Sequence, residues 1–141
     1  MRLGAGLATG VVAFVLALAL GPGPSEATGV VDGPVVAVSM TGGAYYPDAL
    51  VQGNLNLRGD CLMLGNAVVF WPAGTSWDAR SRSVVFSGDF AGAASVGSHF
   101  VGGGGVFTAT DDFLRGLGAA GEVLRDCATA TGAQHLTLAY P

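Results

Sequence analysis

Ser98 and His99 are the two neighbours in this 141-residue chain whose types could begin a hydrolytic reaction, a hydroxyl nucleophile beside an imidazole base with several aspartates elsewhere in the sequence. Their spacing argues against it. Adjacent residues of a strand point to opposite faces, so Ser98 cannot hand its proton to His99. No Gly-x-Ser-x-Gly elbow presents another serine, and His99 and His135 are the only histidines. Two histidines without clustered carboxylates also make no metal centre. We therefore expect no catalytic residue, no metal ligand and no cofactor.

Three other groups could do chemistry. Gly102, Gly103, Gly104 and Gly105 form a run whose backbone N–H groups could cradle an anion, although no Gly-Lys-Ser or Gly-Lys-Thr follows to make a nucleotide phosphate loop. A flexible bend between Val101 and Val106 is the simpler expectation. Trp77, which follows a Pro- and Gly-containing loop and precedes Arg80 and Arg82, has the composition of a binding hot spot for a protein partner or a sugar ring. The competing expectation is that Trp77 folds back as a lid over a barrel end. Cys61 and Cys127 are the only cysteines, and with no histidine at ligand spacing they are expected to form a disulfide in an oxidising compartment.

The first residues bear on that compartment. Arg2 gives a positive start, residues 3–20 carry no charge, Gly21-Pro22-Gly23-Pro24 breaks any helix, and Ser25-Glu26-Ala27 offers small residues for a peptidase. This is the grammar of a secretory signal peptide over residues 1–27, removed from a domain that is then free of the membrane; a retained anchor is the alternative. A secreted or cell-envelope location follows. The rest of the composition narrows the partners: 11% of residues are charged, against about 25% in an ordinary domain, and the net charge is −4 with no lysine. Nucleic acid is excluded as a partner, because its phosphates need clustered Lys and Arg.

The elements that must position these residues read as β-structure. Residues 28–34 look like a flexible arm, and order is expected from Val35 in a single small domain over 35–141. Short apolar runs at 35–40, 61–64, 67–71, 84–87 and 96–101 read as strands, and Val51, Gly53, Leu55 and Leu57 alternate with polar residues in the clearest two-residue period of the chain. Gly65-Asn66 is placed to join two of these strands as a tight hairpin. Residues 72–78 and the glycine- and alanine-rich stretch before Val96 read as connections. Near the end, Phe113, Leu117, Ala120, Leu124 and Cys127 recur at three- and four-residue spacing behind a capping Thr110, which predicts one amphipathic helix; Leu136, Leu138 and Tyr140 then alternate as a last strand. The fold class is mainly β, a small OB-like barrel of about six short strands with one helix before the last.

Gly59-Asp60-Cys61-Leu62, the stretch from Val69 through Trp71-Pro72-Ala73-Gly74-Thr75-Ser76 to Trp77, Val96-Gly97 and the four-glycine run together resemble small exported proteins of high-GC Gram-positive bacteria. The resemblance implies a five- or six-stranded barrel similar to an OB-fold and brings no activity and no catalytic residue. The expected function is a secreted, non-catalytic binding or interaction module for an extracellular protein or a cell-wall component. A small protease inhibitor is the alternative, and a cell-envelope enzyme the weaker one.

Overall fold

A computed structural model describes residues 28–39 and 47–141. The leader expected over 1–27 lies outside the described residues, as does residue 40 at the end of the run expected over 35–40. The strands are β1 (Thr28–Asp32), β2 (Val35–Ser39), β3 (Ala49–Arg58), β4 (Cys61–Leu64), β5 (Ala67–Pro72), β6 (Ser76–Asp78), β7 (Ser83–Phe86), β8 (Gly92–Ser95), β9 (His99–Thr108) and β10 (His135–Tyr140). Two helices, α1 (Asp111–Gly116) and α2 (Ala119–Thr131), separate β9 from β10.

Five strands close into a barrel in the order β3, β4, β5, β10, β9 and back to β3. All neighbours are antiparallel except β5 and β10, which run parallel with Val69 opposite Thr137. This is an OB-like barrel. Its wall explains the unbroken apolar runs in the sequence, because β4 and β5 bury both faces. Leu62, Leu64, Val69 and Trp71 point into the interior cluster, whereas Met63, Val68 and Phe70 point outward into a second cluster beneath the helices. The second sheet, β6-β7-β8, adds Val84, Phe86 and Ala94 to the interior cluster, where Trp71 meets Phe100 edge-on at 5.7 Å between ring centres.

Residues 28–34 are not an arm. Thr28 to Asp32 pair antiparallel with β2 through a turn at Gly33-Pro34, and β2 then runs parallel to the end of β5. Gly29 lies so close to α2 that a side chain there would overlap Ala120, which explains why the glycine-containing segment is ordered: it packs under the helix.

The expected single helix is two. Thr110 caps α1 by accepting a bond from the Phe113 N–H at 3.4 Å, with Asp111 and Asp112 in the first turn. Gly118, at φ 63°, then turns the chain and starts α2. Gly121 fits the resulting corner because a Cβ there would overlap the Leu114 carbonyl. Of the predicted apolar positions, Leu117, Ala120, Leu124 and Cys127 are buried and Phe113 is half-buried against the same cluster, and Leu114 is buried as well; the helical period spans both helices although the helix itself is broken. A Cys61–Cys127 disulfide fixes α2 to the start of β4.

Candidate interaction surface

Ser98 and His99 each have a hydrogen-bond partner elsewhere. Ser98 Oγ donates to the Ser95 carbonyl at 2.6 Å, while His99 Nδ1 lies 3.1 Å from Asn54 Oδ1. Both are exposed, as is His135 at the start of β10. Among the described residues no group of three or more His, Cys, Asp or Glu is arranged to hold a metal ion.

Trp77 lies in β6, a strand within the expected loop. It is half-buried, its backbone N–H donates to Asp32 Oδ2 at 2.9 Å, and its ring lies across Gly33 closely enough that a Cβ there would fall 2.8 Å from Trp77 Cδ1. Trp77 thus clips the turn between β1 and β2 to the second sheet. Arg80 and Arg82 are exposed in the tight turn between β6 and β7, whose geometry Asp78 sets by accepting from the Arg80 N–H at 2.9 Å. A side-chain bond from Ser81, followed by the backbone N–H groups of Arg80 and Ser81, holds the Asp78 carboxyl below its ordinary pKa. Trp77→Ala is expected to cost about 2 kcal/mol, between a surface change and a core cavity, and to loosen β1 first. Thermal melting with amide exchange on β1 would measure both; an unchanged melting temperature would remove the clip.

The four glycines are neither a bend nor an anion nest. They lie in the middle of β9, with β3 on one side and β10 on the other, so their peptide groups belong to the sheet. What they supply is closeness. A Cβ on Gly103 would fall 2.6 Å from the Tyr140 ring and one on Gly105 would fall 2.8 Å from Pro47, whose carbonyl accepts from Tyr140 Oη at 2.5 Å. Desolvation, with the Asp48 carboxylate second, pushes the Tyr140 phenol above its ordinary pKa. Gly104 has φ 151° and a Cβ there would overlap the Leu138 carbonyl. Gly104→Ala is therefore expected to destabilise the barrel by about 2–3 kcal/mol through backbone strain and overpacking. Chemical denaturation checks this, and a loss below about 0.5 kcal/mol, the scale of an ordinary surface change, would contradict it.

Two clefts remain. One, of about 620 Å³, lies beside α2 and is lined by Arg125, Asp111, Thr129 and Gln134 among others. The Arg125 guanidinium is 3.6 Å from Asp111, and its Nε is buried without a partner. The other, of about 450 Å³, lies between β8 and the first half of β9, over Phe86 and Phe100. Sequence reasoning missed it because Gly92-Ala93-Ala94-Ser95 carries no alternation and reads as a connection. The Ser95–Ser98 turn starts like a hairpin, the Ser98 N–H donating to the Ser95 carbonyl at 3.1 Å, but the strands then part. β8 pairs with β7, and β9 pairs with β3.

The comparisons with known proteins add no relative: no protein-family model matches the chain, and neither the curated proteins nor the solved structures contain a match.

Proposed function

We propose that this protein is an exported, non-catalytic interaction module that engages a partner protein through its open strand edges. The observation that carries this reading is the covered face. OB-like barrels offer the face of their second and third strands to ligands; here those strands are β4 and β5, and α2, tied down by the disulfide, covers that face with Leu124 at 0% exposure. The interior is equally closed, since Trp71 and Leu55 fill it at 0% exposure. A surface is left to do the binding. The disulfide is consistent with an oxidising, extracellular compartment, and no helix among the described residues is long and apolar enough to cross a membrane.

A protease inhibitor would need an extended protruding loop. The exposed Arg80 and Arg82 sit instead in a tight turn with Arg82 at φ 51°, which favours the interaction reading over the inhibitor. The test is surface plasmon resonance of the immobilised, disulfide-intact protein against fractionated culture-medium and cell-wall proteins of the producing cell. A saturable one-to-one partner at micromolar Kd or tighter is expected. Fractions that give only linear, unsaturable responses would refute the module.

A further inference from the structure

We infer that the groove between β8 and β9 accepts an extended, uncharged peptide segment of a partner protein, which adds as a strand beside residues 99–102. This deepens the interaction reading and rests on it. The direction of the peptide groups carries the argument. The Leu55 N–H donates to the Ser98 carbonyl at 2.9 Å, so by the alternation of an antiparallel strand Phe100 and Gly102 turn their peptide groups toward β3. His99 and Val101 turn theirs the other way. The same alternation holds further along β9, where the Ala109 N–H donates to the Gln134 carbonyl at 3.1 Å and the odd-numbered residues face β10. β10, however, stops pairing at Tyr140 opposite Gly103. The N–H and C=O groups of His99 and Val101 therefore face a lane that β10 fills from Gly103 onward, and Pro141, the residue after β10, lines the same groove.

The same alternation holds across the groove. The Val96 N–H donates to the Arg82 carbonyl at 3.0 Å, which places the peptide groups of Gly92 and Ala94 toward β7 and those of Ala93 toward the same lane. Among the described residues no strand pairs with this side of residues 99–102 or with the side of β8 turned away from β7. Natural sheets guard such edges with Lys, Pro or inward charges. Gly92-Ala93-Ala94-Ser95 and His99-Phe100-Val101-Gly102 have no Lys, Arg, Asp, Glu or Pro, and the proline that lines the groove, Pro141, belongs to neither strand. The floor is aromatic, and Val101 is 56% exposed beside the lane. An occupant continuing the lane of β10 runs antiparallel to β9, matches its backbone to His99 and Val101, and sets small or apolar side chains over Phe86 and Phe100.

The test uses random dodecapeptides displayed on phage and selected on the purified, disulfide-intact protein, followed by amide exchange with the winning synthetic peptide. Enriched peptides are expected to be uncharged and rich in β-branched residues, and to slow exchange of the His99, Val101 and Ala93 amides at least about tenfold. Val101→Pro removes an open donor and no existing ladder bond; it should weaken the peptide at least about tenfold, whereas Val101→Thr should keep it. Ala93→Lys leaves the backbone untouched and guards the opposite edge, with the same expected loss. Charged winners, protection elsewhere, indifference to both variants, or failure to enrich any peptide would each overturn the lane. So would slow Val101 exchange in the free protein, which would mean that the chain itself fills it. A cell-wall or secreted partner that binds the wild type and Val101→Pro equally overturns the lane and leaves the module standing; the absence of any partner overturns the module.

Discussion

Trp71→Ala is expected to lower the stability of the fold by about 3–5 kcal/mol, whereas Trp71→Phe is expected to cost less than about 2 kcal/mol. Trp71 is fully buried, with Phe86 at 5.4 Å and Phe100 at 5.7 Å between ring centres, so truncation to a methyl leaves a cavity walled by rings that cannot collapse into it. Phenylalanine keeps most of the volume. It also removes a liability, because Trp71 Nε1 is buried with no hydrogen-bond partner, and an unsatisfied buried donor itself costs about 1–3 kcal/mol. A domain with a typical total stability of about 5–15 kcal/mol gives up a large fraction in the first variant and little in the second. Equilibrium urea unfolding separates them, and equal losses would mean that the cavity left by truncation does not set the cost. The Trp71→Phe background also isolates the fluorescence of Trp77, whose half-burial predicts partial quenching by iodide.

Replacing both Cys61 and Cys127 with alanine is expected to cost about 4 kcal/mol, because their 66-residue separation makes a long loop whose closure restricts the unfolded chain. With a urea slope of about 2 kcal/mol/M, the unfolding midpoint should fall by about 2 M. The location of the bond adds a second expectation. It is the covalent tie between α2 and the barrel, and α2 contributes Leu124 and Ala120 to the outer cluster. Amide exchange in α2 should therefore accelerate before that of β9 or β3. A uniform acceleration across the barrel would show that the bond acts on the unfolded chain alone and not on the seating of the helix.

Local chemistry made some of this protein legible in advance. The alternation of Val51, Gly53, Leu55 and Leu57 belongs to β3, Gly65-Asn66 joins β4 to β5, and Thr110 caps a helix because its hydroxyl oxygen reaches the Phe113 N–H. These features depend on residues within a few positions of one another, where side-chain period and turn chemistry act directly. The cysteine pairing was legible for another reason, since two cysteines leave one partner each. The barrel was legible only as a class, through the density of short strands.

Tertiary structure decided the rest by bringing distant backbones together. Residues 28–32 become a strand because β2 offers an edge and α2 offers Ala120 against Gly29; nothing in Thr-Gly-Val-Val-Asp requires this alone. The four glycines promise freedom in the sequence and give the opposite in the fold, because they allow β9 to pass beneath Tyr140 and Pro47 and against the carbonyl of Leu138. The groove that carries the further inference exists only because β8 is captured by β7 and β9 by β3, which pulls apart two strands that a tight turn had placed side by side. Spacing along the chain sets which side a peptide group faces, and the topology alone sets whether anything is there to meet it.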